Sequence, residues 1–189
     1  MRKLLNIGAG PIRLENFGDI ECENSDFADT ESAKGWKLDK LRDFTKPMND
    51  LENDSIDYIV AWHILEHMGF PTERNEIIAE WKRVLKPGGK IFLACPDLSK
   101  IARHIIDRDG PWADWFICMV NVYGPYNGFI GDVHRWGYNE EEVGKLFVKE
   151  FGYTNCHTLD VGELVNNIGV DNANKMGIAD YNVQVTITK

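Results

Sequence analysis

Nowhere in its 189 residues does this chain hold an apolar run approaching the roughly 20 residues that a membrane-spanning helix needs. The opening Met1–Ile7 stretch is too poor in apolar residues for a secretory signal, so the expectation is a soluble, cytoplasmic protein with no membrane partner. Cysteine is scarce. The four present, Cys22, Cys95, Cys118 and Cys156, form no CxxC pair, which excludes a disulfide framework or a zinc knuckle and points to reduced thiols. Positive charge is also short, with 21 Lys and Arg against 30 Asp and Glu, a net charge of -9. Such a surface repels a phosphate backbone and disfavours general nucleic-acid binding. There is no internal repeat and no GxxxxGK[ST] loop to cradle a triphosphate. No Asn-Pro-Pro-Tyr-like block for a flipped base is found either; Tyr123-Gly124-Pro125-Tyr126 is not that motif.

What is present reads as one α/β domain over 1–189. Apolar residues make up 43 % and charged residues 27 %, ordinary values for a chain able to bury its own core. Strand and helix signals alternate, which favours a parallel sheet covered on both faces. Strands are expected at 3–7, at 56–62, at 90–95, at 153–159 and at 181–188, with weaker candidates at 17–22 and 36–39. A helix is expected over 73–85, where Ile77, Ile78, Trp81, Val84 and Leu85 share a face and Thr72 is the candidate N-cap. Lys86-Pro87-Gly88-Gly89 should stop it and turn the chain. A second helix over 139–150 opens with Asn139 and Glu142 in a capping-box arrangement. Residues 98–137 break the rhythm. They begin as a helix and become aromatic and glycine-rich, with Trp112, Trp115, Phe116, Tyr123, Tyr126, Phe129 and Trp136. The segment reads as an insertion, or lid, over the carboxyl ends of the strands, where open α/β sheets bind ligands.

The first strand runs into Gly8-Ala9-Gly10-Pro11. Glycine there permits a positive φ and close approach of a ligand to bare backbone. A dinucleotide fingerprint would need a third glycine and a helix N-terminus for the pyrophosphate, but Pro11 follows at once and position 13 is Arg13. The turn suits a nucleoside-like ligand without a pyrophosphate.

Four blocks then resemble the class I S-adenosylmethionine (SAM)-dependent methyltransferases, in particular the small bacterial and phage type. Leu5-Asn6-Ile7-Gly8-Ala9-Gly10-Pro11 is similar to the family's LNLGCGP motif, with Ala9 for Cys. Asp54–Val60 is similar to its fourth-strand block, His63-Ile64-Leu65-Glu66-His67 to its HxLEH signature, and Arg83–Lys90 to its RVLKPGG turn. The resemblance implies a Rossmann-like fold. Its seven-stranded, mostly parallel sheet runs in the order 3-2-1-4-5-7-6, with the last strand antiparallel and helices on both faces. It implies SAM as cofactor and S-adenosylhomocysteine as product. It also implies that Gly8, Ala9 and Gly10 approach the methionine part, and that an acid after strand two grips the ribose diol through two accepted hydrogen bonds. Eleven residues past Gly10, as the family spaces it, stands Glu21, with Asp39 as its rival. Asp43 resembles the acid near the adenine amino group. Trp62 and His63, just after strand four, would lie beside the cofactor, although Trp62 also reads as core.

On the acceptor side, His134-Arg135-Trp136-Gly137-Tyr138 resembles an HxxGY block. His134 is the candidate base and Arg135 with Trp136 the candidate acceptor contacts; His134 bracing the lid is the alternative. The expected acceptor is a small molecule or glycan precursor, methylated on oxygen or nitrogen, and the aromatics of the insertion would form a pocket, close the lid or make a homodimer surface. Two other readings stand beside this one. The same fold could serve as a non-catalytic cofactor-binding module, separable by measuring affinity and turnover apart. His63, Glu66 and His67 also match the HxxEH pattern of zinc hydrolases. That helix would need to run on, and Gly69-Phe70-Pro71 stops it within a turn, so no metal ligand is assigned.

Overall fold

Three strands form the centre of the sheet, and their side chains are buried alternately on its two faces. In β1 (Arg2–Ile7), β4 (Ile56–Trp62) and β5 (Leu85–Pro96), Leu5, Ile7, Ile59, Ala61, Ile91 and Leu93 face one core. Leu4, Tyr58, Val60, Trp62, Phe92 and Ala94 face the other. This near-continuous apolar pattern is what a strand covered on both faces requires. The computed structural model describes residues 1–27, 34–43, 46–107, 115–125, 128–177 and 179–189. With β2 (Ile20–Asp26), β3 (Lys40–Leu41), β6 (Asn155–Thr158) and β7 (Asn182–Thr188) the sheet has seven strands in the order β3-β2-β1-β4-β5-β7-β6. β7 runs antiparallel to both β5 and β6. The fold and strand order implied by the resemblance are therefore those observed.

The first core is closed by α1 (Thr72–Val84), which buries Ile77, Ile78, Trp81 and Val84. It is also closed by α4 (Glu140–Gly144) and its π-type continuation through Glu150, which bury Val143, Leu146 and Phe147. Between them in sequence come α2 (Leu98–Asp107) and α3 (Trp115–Tyr123). Asn139 caps α4 by accepting from the Glu142 N–H at 2.9 Å, as its place in the sequence suggests. Thr72 is the first helical residue rather than the cap, and Pro71 takes that position. The Lys86–Gly89 turn is likewise displaced. β5 already begins at Leu85, and the four residues are taken up by an irregularity in its pairing with β4 between Ile56 and Tyr58.

Residues 8–19, joining β1 to β2, form no helix. The second core is covered there by α5 (Val161–Ile168) and α6 (Val170–Met176), two helices that sequence analysis does not anticipate. Asn172 of α6 clamps Glu15, accepting from its N–H at 2.8 Å and donating to its carbonyl at 2.7 Å. Asn24, on β2, holds the same crossover from inside. Its side chain accepts from Asn6 Nδ2 at 3.0 Å and Leu14 N at 2.7 Å, and donates to the Leu14 carbonyl and to Asp39 Oδ2, both at 2.9 Å. Asn24 is 1 % exposed, so truncation orphans several buried groups at once. Asn24→Ala is expected to lower unfolding stability by about 2–3 kcal/mol in urea titration; a loss below about 0.5 kcal/mol would show the crossover to be held from elsewhere.

Candidate active site

A cavity of about 670 Å³ opens at the carboxyl ends of the central strands, where this topology places ligands. Its floor is the turn after β1. Gly8 and Gly10 have φ of +61° and +51°, and Gly8, Ala9 and Gly10 all line the cavity. A Cβ on Gly8 would stand 1.8 Å from Ile64 Cδ1, so a side chain there must displace Ile64 as well as bear the positive φ, whereas one on Gly10 would meet the Trp36 ring at 3.5 Å. Asp26, the last residue of β2, stands beside the turn. Its Oδ2 accepts from the Gly10 N–H at 2.7 Å and its Oδ1 from the Phe27 N–H at 2.6 Å.

The wall after β4 begins at Trp62 and His63, both lining the cavity. His63 has φ of +57°, an unusual conformation for a non-glycine residue, and its ring is held at both nitrogens. Asn182 Nδ2 lies 3.1 Å from Nε2, so the ring proton sits on Nδ1, 3.1 Å from Glu66 Oε1. Glu66 is 1 % exposed, and its other oxygen, Oε2, has no hydrogen-bond partner among the described residues. Burial pushes the Glu66 carboxyl up, but His63 and His67 outweigh it and hold it below the usual carboxylate range.

The opposite wall comes from residues 120–125 and 129–135, with Val120, Asn121, Phe129, Asp132, His134 and Arg135 among those lining it. It is tied to the HxLEH turn by main chain, for the Glu66 carbonyl accepts from Arg135 N at 2.7 Å and Trp136 N at 3.2 Å. Asp132 also forms an ion pair with Lys34 at 2.7 Å. His134 has its Nδ1 2.9 Å from the Asn121 carbonyl and its ring edge-on to His67, with centroids 4.7 Å apart. Burial lowers its pKa below the ordinary histidine value, so the ring is neutral near pH 7.

Gly8, Ala9, Gly10, Trp62, His63, His134 and Arg135 are thus brought together around one cavity. Four others are not. Glu21 is exposed at the second position of β2, level with Lys3, at the far end of the strand from the cavity. Asp39 braces the crossover through Asn24 and Arg13; burial raises its carboxyl, and these partners outweigh that and hold it low. Asp43 is not among the residues lining the cavity. Trp136 stacks on Phe70, with centroids 4.1 Å apart and planes 9° apart, outside the lining. Trp112 and Tyr126 lie outside the described residues. The cavity lining includes Asp26, which sequence analysis does not single out, and the strand itself explains why. Ile20-Glu21-Cys22-Glu23-Asn24-Ser25-Asp26 is too polar for its end to be read, and the wide crossover makes the count from Gly10 sixteen rather than eleven. The zinc-hydrolase reading also fails on geometry. Leu65–His67 is a 3₁₀ turn rather than an extending helix, and both ring nitrogens of His63 are engaged.

Residues 19–93 match the family described as "Methyltransferase domain". No curated protein matches the sequence. Solved structures with the same fold include a SAM-dependent methyltransferase from Archaeoglobus fulgidus, with TM-score 0.56 and 15 % identity, covering 100 % of this chain and 86 % of that one. Another is a putative O-methyltransferase from Nostoc punctiforme, with TM-score 0.55 and 14 % identity, covering 100 % and 52 %. A third is the CurJ carbon methyltransferase, with TM-score 0.54 and 15 % identity, covering 99 % and 48 %. The chain thus spans about half the length of the last two. The segment 19–93 is thus similar to a methyltransferase domain, and the whole chain has the fold of solved SAM-dependent methyltransferases. Among the described residues no helix is long and apolar enough to cross a membrane.

Proposed function

We infer that this protein transfers the methyl group of SAM to an oxygen or nitrogen of a small-molecule or sugar-containing acceptor. The observation that carries the reading is the pairing of Asp26 with the Gly8–Gly10 turn at the mouth of β1 and β2. There the backbone is bare enough for the methionine part, and a buried carboxylate stands where a ribose diol can donate to it. Asp26 takes the role first expected of Glu21. Trp62 and His63 form the side of the cofactor pocket, and His63 is held by Glu66 and Asn182 rather than free to react.

Methyl transfer from a sulfonium is an in-line displacement, for which the protein supplies orientation and, for a hydroxyl, a place for the proton. His134 provides that place. With Nδ1 committed to the Asn121 carbonyl, its lone pair is on Nε2. Arg135 already pairs with Glu73 at 3.0 Å, so an acidic acceptor group would meet the remaining N–H groups of its fork. The described parts of residues 98–137 act as the lid over the acceptor, and four cysteines that form no disulfide favour the reducing cytoplasm.

Calorimetric titration with SAM and with S-adenosylhomocysteine tests the reading, followed by transfer of a labelled methyl to sugar and small-molecule acceptors. The wild-type chain should bind both ligands. Gly10→Val should bind neither, because a β-branched side chain resists φ of +51° and projects toward Trp36 across the cofactor's path. Unchanged affinity in a folded Gly10→Val protein removes the site.

A further inference from the structure

We propose that Glu66, His67 and His134 form a site for a divalent transition-metal ion of the zinc class, with its open coordination position facing the cavity. One donor atom of each residue lies within 4.8 Å of those of the other two. Donors bound to zinc at about 2.0–2.1 Å stand roughly 3.3 Å apart in a tetrahedron, and small torsional changes at three side chains close that difference.

The two imidazoles are oriented as metal ligands are. His67 Nδ1 lies 3.1 Å from the Val133 carbonyl and His134 Nδ1 lies 2.9 Å from the Asn121 carbonyl. A carbonyl can only accept, so each Nδ1 carries the proton and each Nε2 keeps a lone pair. Glu66 supplies the independent observation. It is 1 % exposed, and among the described residues Oε2 has no hydrogen-bond partner while Oε1 is held by His63. A buried carboxylate oxygen left unpaired is costly, and a cation is the partner that would satisfy it. Two imidazole nitrogens and one carboxylate oxygen suit zinc, not magnesium or calcium, which take all-oxygen shells. His63 and Asn182 behind Glu66 complete an outer layer of the kind that fixes ligand orientation.

Three protein ligands leave a position for water. His67 and His134 both line the cavity, so that position opens on the acceptor side. An acceptor hydroxyl replacing the water would lose its proton to solvent more readily, the ion taking over the task of the bare His134 ring. That consequence rests on the methyltransferase reading; the binding of the ion does not.

The test uses the full chain, stripped with a chelator and titrated calorimetrically with Zn²⁺ without cofactor. The expected result is one ion per chain, with affinity reduced at least about 100-fold in His67→Ala and His134→Ala and roughly 10–100-fold in Glu66→Gln. Co²⁺ substitution should give the visible absorption of a four- or five-coordinate site, altered in His134→Ala. Absence of Zn²⁺ uptake by the wild-type protein overturns the proposal without needing any variant. Equal uptake by folded His67→Ala and His134→Ala overturns it too, since the ion then sits elsewhere. SAM affinity measured on the same samples separates the two readings. Intact SAM binding without zinc refutes only the metal site, and zinc binding without SAM binding refutes only the methyltransferase reading.

Discussion

Asp26→Ala should weaken SAM binding by about 3 kcal/mol, on the order of 100-fold in Kd, while Glu21→Ala leaves it unchanged. The expectation follows from position. In a parallel sheet only residues at the carboxyl ends of the strands reach the crevice. Asp26 is the last residue of β2 and Glu21 the second, near the strand's opposite end. The Asp26 carboxylate also accepts from the Gly10 N–H, so its loss removes the group proposed to face the ribose and frees the Gly8–Gly10 turn as well. Hydrogen bonds to a charged group contribute about 1.5–3 kcal/mol each, which makes this deletion larger than any contact on the acceptor side. Asp26→Asn keeps one acceptor oxygen and should fall between the two. Calorimetry on variants with native circular dichroism decides the matter: an Asp26→Ala protein binding SAM like the wild type would move the ribose site elsewhere.

The second large effect is on stability. Trp81→Ala is expected to cost about 3–5 kcal/mol, a large share of the roughly 5–15 kcal/mol that holds a domain folded. Trp81 is fully buried on α1, between the sheet and the Phe147 ring, whose centroid lies 6.5 Å away at 21° to its plane. No neighbouring side chain can fill a void of that size without disturbing both helices that cover this face. Trp81→Phe should cost far less, because it keeps an aromatic ring and removes an indole N–H that has no partner among the described residues. Urea titration should show a lower midpoint with an unchanged slope for the alanine variant. A loss below about 1 kcal/mol would mean that α1 is not packed against the sheet as described.

Some of this was legible because the forces involved are local. Ile56–Trp62 coincides with β4 from end to end, since a strand buried on both faces must be apolar throughout. The face of α1 shows at its period of 3.6, and Asn139 caps α4 through a bond three residues away. β2 was misjudged because its buried half is polar. Asn24, Ser25 and Asp26 are sheltered by partners that come from residues 6–14 and from position 39. The helices α5 and α6 went unseen for a related reason. They cover the face beneath the crossover; Asp160 with Glu163 and the spacing of Leu164, Val165 and Ile168 mark α5 locally, whereas the face it covers is set by the distant crossover.

By itself, then, the amino-acid order determined the alternating architecture, the glycine turn at the head of the cavity and the class of ligand that turn suits. Each of these depends on side-chain periodicity or on a backbone angle over a few neighbouring residues. Folding in three dimensions decided which carboxylate meets the turn. It also decided that His63 is braced while His134 keeps a lone pair, and that Glu66 and His67 converge with a residue sixty-seven positions beyond His67. These outcomes are set by where strands end and by what packs across the sheet, and distance along the chain carries no information about either.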